Sequence, residues 1–298
     1  MRRIKTDDTG VLKGIETEKS KGAFEYRSEN IPIWCPGCGY FGVSHALNYT
    51  LTALSIKPEN FVMVSGIGCS GRFPGFMKCY GFHTLHGRPL PVAQGVKMAR
   101  PDLTVVVMTG DGDGLGIGGG HLPHAVRRNV DITCILLDNT IYGLTKGQAS
   151  PTTPTGIVTA TTPYGNPDEP VLPELLILSY RPGFLASVSS AEPDHLAQIF
   201  EEAISHRGFS FVRVFSPCVT FDERMTYDFL REKLKPLPEE HDPTDFEQAL
   251  RIAASGEPRT GIFYRVRKKT FDERDEDTRN KAKKSGPSDF ERLFKCRR

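Results

Sequence analysis

Short apolar runs recur through the middle of the chain: Phe61–Ser65, Leu103–Thr109, Ile132–Leu137, Leu185–Ser189 and Phe211–Phe215. Each is rich in β-branched residues and bounded by glycine or polar residues. None alternates apolar with polar, so these runs predict strands covered on both faces. Helical spacing fills several of the gaps, over Val43–Leu54, Val92–Ala99, His121–Arg128 and Pro193–His206. In the last of these, Leu196, Ile199, Phe200 and Ile204 share one face and Asp194 stands where a cap is expected. Strands alternating with helices imply an α/β fold with a doubly wound, mostly parallel sheet.

The flanks differ in character. Residues 1–30 are polar and lysine-rich and read as an irregular arm, residues 31–225 as the α/β domain, and residues 226–298 as a C-terminal extension. From Arg267 that extension becomes a run of interleaved charges, expected to be a solvated tail or one that docks through Phe290, Leu293 and Phe294. Thr145–Pro173 has no periodicity, and a loop of that length inside a domain is usually functional. The 38 basic side chains nearly balance the 36 acidic ones, for a net charge of +2. That balance gives no electrostatic case for nucleic acid or an anionic membrane. No apolar stretch approaches the ~20 residues needed to span a bilayer. Polar residues follow Arg2 and Arg3 where an export signal would be apolar, so a cytoplasmic location is expected.

Strand Leu103–Thr109 runs directly into Gly110–His121, a glycine-rich turn. Ligands of open α/β sheets sit outside the carboxyl ends of strands, which makes this turn a candidate site. Gly114, Gly116 and Gly119 satisfy a dinucleotide-binding GxGxxG, with Asp138 where a ribose ligand would lie. Against that reading, Asp111 and Asp113 put two carboxylates where a pyrophosphate must approach. A divalent cation removes the conflict. Asp111, the Asn139 amide oxygen and the Ile141 carbonyl can hold Mg²⁺ while the ion's other positions take diphosphate oxygens. Gly110-Asp111-Gly112 followed by Asn139 resembles the signature of the thiamine diphosphate-binding fold.

Seven cysteines lie at positions 35, 38, 69, 79, 134, 218 and 296. Their odd number and wide dispersal argue against a disulfide framework and leave metal binding or burial. Cys35-Pro-Gly-Cys38 is superficially a thioredoxin-type pair, but no strand precedes it and glycines at 37, 39 and 42 delay a helix. A structural zinc site commonly uses a second close pair, and none exists. Cys69 and Cys218 each directly follow a predicted strand, on the edge that carries Asp111. One pair and two remote singles supply the four thiolates that a [4Fe–4S] cluster requires. Cys134 is mid-strand and reads as core; Cys79 and Cys296 read as incidental thiols.

The motifs Trp34-Cys-Pro-Gly-Cys-Gly39, Gly66-Ile-Gly-Cys-Ser-Gly-Arg72, His86-Gly-Arg88, Gly110-Asp-Gly-Asp113, Asp138–Gln148 and Ser216-Pro-Cys218 occur in that order. As a set they resemble the β-subunits of 2-oxoacid:ferredoxin oxidoreductases, over about residues 31–222. The 2-oxoglutarate branch is the nearest in appearance. The resemblance implies thiamine diphosphate, Mg²⁺ and one [4Fe–4S] cluster held by Cys35, Cys38, Cys69 and Cys218. It also implies cofactor contacts from Gly68, Cys69, His86, Gly87, Gly110, Asp111, Gly112, Asp113, Asn139, Ile141 and Gly143. Implied partners are an α-subunit with the pyrimidine-binding domain, in an αβ or (αβ)₂ assembly, together with a 2-oxo acid, coenzyme A and ferredoxin. Arg72, three residues after Cys69, suits a substrate carboxylate because a guanidinium grips one through two hydrogen bonds. Lys146 is the second candidate, provided that it is buried at the strand-end site. Pyruvate or another 2-oxo acid, and a thiamine enzyme without redox chemistry, are the alternatives.

Overall fold

The apolar runs become strands of one eight-stranded sheet in the computed structural model, which describes residues 26–284. In chain order the strands are β1 (Phe61–Ser65), β2 (Tyr80–His83), β3 (Thr104–Gly110), β4 (Thr133–Asp138), β7 (Phe184–Ser189), β8 (Ser210–Phe215), β9 (Lys235–Pro236) and β10 (Arg259–Arg265). A small separate hairpin, β5 (Ile141–Tyr142) with β6 (Gln148–Ala149), follows β4. The spatial order is β2-β1-β3-β4-β8-β7-β10-β9. From β2 to β7 every pairing is parallel; β10 then joins β7 antiparallel. β1, β4 and β7 are buried at every residue, as continuous apolar runs between two helical layers should be.

Two clusters form the core, one on each face. Helices α1 (Tyr40–Ala53) and α7 (Pro193–Ser205) cover one face, with Val43, Leu47 and Leu51 packed near Leu196 and Phe200. Helices α4 (Pro89–Ala99), α5 (Leu122–Arg128), α6 (Pro173–Ser179) and α9 (Phe246–Ala254) cover the other. Short helical turns α2 (Gly68–Gly71) and α3 (Phe73–Phe76) lead from β1 to β2. The doubly wound, mostly parallel architecture is as the sequence predicts.

Several expectations need correction. Glu192, not Asp194, stands at the N-cap of α7, where no side chain caps. Asp194 lies in the first turn, where a carboxylate still favours the helix dipole. A sequence-drawn boundary at 225 is crossed by the sheet, because β10 buries Thr260, Phe263 and Tyr264 against it. Between them, α8 (Tyr227–Lys233) seats Leu230 beside Phe215 and Met225. The charged run beyond β10 is helical, α10 (Phe271–Lys284), and buries no residue, which fits a solvated segment. Of the N-terminal arm, residues 1–25 lie outside the described residues; Tyr26 is buried and Arg27 bridges Met77. Phe290, Leu293, Phe294 and Cys296 also lie outside them.

Candidate functional site

Parallel strands that are neighbours in a sheet end on the same edge. β1, β3, β4 and β8 are consecutive neighbours, and their carboxyl ends lead into Cys69, Asp111, Asn139 and Cys218 respectively. Four chemistry-bearing residues scattered along the sequence thus share one edge, beside a cleft of 510 Å³. The cleft walls include Gly68, Cys69, Arg72, Gly110–Asp113, Asn139, Ile141 and Gly143.

Asp111 is one of two buried acids lining this cleft, 2% exposed. Its Oδ2 accepts hydrogen bonds from the Ser150 and Thr152 hydroxyls, the latter at 2.8 Å. Thr152 Oγ1 also lies 2.8 Å from Asp138 Oδ1. The one Thr152 hydroxyl proton cannot serve both carboxylates at once, an arrangement that a proton on Asp111 or a nearby cation would relieve. Burial first, then the charge of Asp138, pushes the Asp111 carboxyl up to about 7. Asn139 Oδ1 accepts from Ile141 N at 3.3 Å and keeps a second lone pair, so the Asp111, Asn139 and Ile141 oxygens fit a hard divalent cation.

The dinucleotide reading does not survive this geometry. Asp138 is fully buried, and its carboxylate accepts from Thr140 N at 3.0 Å and from Arg213 Nε at 2.8 Å. Arg213 in turn reaches Glu174 at 2.9 Å. An acid spent inside such a network is closed to a ribose. Gly114 and Gly116 lie in a wide π-helical coil, Gly112–Ile117, and not in a tight turn opening a helix.

Asp113 takes a different part from Asp111. Its Oδ1 accepts from Ile67 N at 3.2 Å, Gly87 N at 2.8 Å and His86 Nδ1 at 2.9 Å, and its Oδ2 accepts from Thr109 Oγ1 at 2.7 Å. These bonds tie the loops after β1 and β2 to β3, so Asp113 braces the cleft wall it lines. Gly66 makes room for it: a Cβ there would stand 1.6 Å from Asp113 Oδ2. Asp113→Ala leaves those donors unpaired and should destabilise the chain by about 3–5 kcal/mol, measurable by urea unfolding. An effect below about 1 kcal/mol would contradict the bracing role.

The cysteine turns meet next to the cleft. A Cβ at Gly39 would lie 2.2 Å from Ser216 Oγ and 2.9 Å from Pro217 Cδ, so the Cys35–Cys38 loop sits directly on the Cys218 turn. Trp34 Nε1 donates to the Cys69 carbonyl at 2.9 Å. Tyr227 Oη donates to the Gly37 carbonyl at 3.1 Å. Burial pushes Cys38 up to about 12, with added repulsion from Cys69, Cys218 and Cys35; burial also raises Cys69 and Cys218. The cysteines are thus near enough for their charges to act on one another. Among the described residues, no three His, Cys, Asp or Glu side chains stand close enough to hold a single metal ion. A four-iron cluster is a wider body than one ion, and its positive iron would reverse the thiols' repulsion, so this donor set fits one. Cys134 is fully buried in β4, as a core residue should be.

The other expected residues fall as follows. Arg72 is exposed at the cleft wall, near enough to Cys69 for its charge to oppose in part the burial that raises that thiol. His86 and Gly87 flank the Asp113 brace outside the cleft lining. Lys146 is exposed at the hairpin tip with a left-handed φ of 77°, so the burial expected for it is absent. Sequence reasoning missed Tyr142, which donates to the Gly112 carbonyl at 2.8 Å, and His83, which lines the cleft with Nδ1 2.7 Å from the Gly71 carbonyl. It also missed Ser150 and Thr152, although the aperiodic loop that carries them stands out by its length.

Fold and site together define a thiamine diphosphate-binding domain. Residues 66–214 match the family model of the thiamine pyrophosphate enzyme C-terminal TPP-binding domain. Residues 218–280 match that of the C-terminal region of the pyruvate ferredoxin oxidoreductase β-subunit. A 2-oxoacid:ferredoxin oxidoreductase β-subunit of Aeropyrum pernix is 39% identical over 86% of this chain and 85% of its own. The 2-oxoglutarate oxidoreductase subunit KorB of Mycobacterium tuberculosis is 41% identical over 76% of this chain, a match spanning 60% of that protein's length. A solved 2-oxoglutarate:ferredoxin oxidoreductase from Magnetococcus marinus, with 2-oxoglutarate, coenzyme A and succinyl-CoA bound, is 40% identical. Its superposition has a TM-score of 0.86 and covers 96% of this chain and 98% of that one. The chain belongs to the β-subunits of the 2-oxoacid:ferredoxin oxidoreductases. None of its described helices is long and apolar enough to cross a membrane.

Proposed function

We propose that this chain, joined to an α-subunit, catalyses the reversible oxidation of 2-oxoglutarate with coenzyme A to succinyl-CoA and CO₂, passing the electrons to ferredoxin. One observation carries the reading: the strand ends bearing Cys69, Asp111, Asn139 and Cys218 converge beside one cleft with Arg72 on its wall. Asp111, Asn139 and the Ile141 carbonyl would hold Mg²⁺, and through it the cofactor's diphosphate. Cys35, Cys38, Cys69 and Cys218 would hold a [4Fe–4S] cluster. When bound, thiamine diphosphate supplies an electron sink for decarboxylation and the cluster an acceptor for single electrons.

This chain's own residues supply position and charge. Ser150 and Thr152 hold the Asp111 carboxylate by its Oδ2 atom and would orient it toward a cation. Tyr142, bonded to the Gly112 carbonyl, fixes the turn on which a diphosphate would rest; a Cβ at Gly112 would meet its ring at 2.2 Å. Arg72 would take the distal carboxylate of the substrate, as a guanidinium beside the cluster turn can. The exposed hairpin tip with Leu144, Thr145 and Lys146 would face the α-subunit, which supplies the pyrimidine-binding half. On that reading the isolated chain has no decarboxylase activity. We assign the complex to the cytoplasm.

Arg72 supplies the test. In the αβ complex, Arg72→Gln should cut kcat/KM for 2-oxoglutarate by about 10²-fold, the loss of a charge-assisted bidentate contact, and that for pyruvate by less than about threefold. Equal losses for both substrates would refute the assignment of Arg72 to the distal carboxylate.

A further inference from the structure

Two turns that the proposed function uses for different cofactors are joined by a bond the reaction does not require. Thr140 stands between Asn139 and Ile141 with a left-handed φ of 55°, a strained conformation for a β-branched residue. Three hydrogen bonds hold it there. Its N–H donates to Asp138 Oδ1 at 3.0 Å, and its carbonyl accepts from Thr153 Oγ1 at 2.6 Å. Its hydroxyl donates to Asp222 Oδ2 at 2.9 Å.

Asp222 belongs to the cysteine turn: its N–H donates to the Cys218 carbonyl at 3.0 Å. Its carboxylate is 1% exposed, accepts from Arg224 N at 3.0 Å and pairs with Arg224 Nη2 at 2.8 Å. The Cys218 sulfur meanwhile rests against the hairpin that follows Thr140, 3.3 Å from where a Cβ of Gly143 would stand. Burial is the main cause of the raised Cys218 pKa, and the nearby charge of Asp222 adds to it.

We propose that Asp222 is a positioning residue that locks the Cys218 turn onto the Asn139–Ile141 turn, and that the Asp222–Arg224 pair sets the reduction potential of the cluster held through Cys218. This rests on the cluster reading above. Cluster potentials respond to nearby charge and burial, and a buried anion disfavours the more negative, reduced form. The partly exposed Arg224 opposes it, more weakly because solvent screens it.

The test is an anaerobic EPR redox titration of the purified complex, with iron and thiamine diphosphate content measured alongside. Asp222→Asn keeps the shape and most acceptors of the carboxylate and should move the midpoint potential positive at full iron content. Arg224→Gln should move it negative by a smaller amount. Opposite shifts are not produced by loosening of the fold, which moves both variants alike. Clusters present with unchanged potentials, or shifts of one sign in both variants, overturn the proposal alone. Should Asp222→Asn fail to assemble, an unshifted Arg224→Gln overturns it by itself. A wild-type complex with no iron–sulfur signal overturns the cluster reading and this inference together.

Discussion

Asp111→Asn should abolish cofactor binding and at the same time make the cofactor-free chain more stable. Binding suffers because an amide cannot supply the anionic oxygen that a hard cation demands. Loss of a ligand-orienting contact alone costs 10–100-fold in metal affinity, and loss of the ligand itself should cost more than about 100-fold. Titration calorimetry with thiamine diphosphate and Mg²⁺ measures this directly. Stability gains because Asp111 is buried beside Asp138, and that environment pushes its carboxyl up to about 7. The sign follows from proton uptake. An unfolded chain releases this proton near pH 4, whereas the folded chain holds it to about pH 7, so the wild-type chain loses stability as pH rises through that window. The asparagine variant has no such loss. Its melting temperature should match wild type near pH 4, rise above it by on the order of 6–10 °C by pH 7, and run parallel beyond. A variant less stable than wild type at pH 8 would show that Asp111 is not a strained acid.

Cys218→Ser is expected to remove the iron–sulfur spectrum while sparing diphosphate binding. Serine offers a hydroxyl in place of a soft thiolate, and thiolate ligation is what iron–sulfur clusters require. Iron content should fall, the EPR signal of the reduced complex should disappear, and ferredoxin reduction should drop by at least about 10²-fold. Affinity for thiamine diphosphate with Mg²⁺ should stay within about threefold, because Asp111, Asn139 and their partners are untouched. Cys134→Ser makes the contrasting control. Cys134 is fully buried in the sheet core, so that change should cost about 1–3 kcal/mol of stability and leave the iron in place. A full complement of iron in Cys218→Ser would remove Cys218 from the ligand set.

What the sequence disclosed followed from periodicity. β1 matches its predicted bounds, and β3, β4, β7 and β8 depart from theirs by about a residue, because buried parallel strands are continuous apolar runs. β2 escaped notice because Tyr80–His83 is an exposed edge strand with no apolar face to pattern it. β10 was hidden by the charges around it. The polar α10 has no buried stripe and is supported by pairs such as Asp275–Arg279 at 2.8 Å, so it read as a tail. In the site, the GDG turn and the cysteines were legible as residue types placed after strands. What they do to one another was not: that Asp113 braces two loops while Asp111 faces the cleft depends on strand order and register, which spacing along the chain does not encode.

The adjacency of β1, β3, β4 and β8 also brings together segments that the ribosome releases far apart in time. Cys35 and Cys218 come from distant parts of the chain, and β8 is among the later strands to leave the ribosome. Until it docks beside β4, the first three thiols have no fourth partner. If the four thiolates do hold a cluster, a chain truncated before Cys218 would lack one of its ligands.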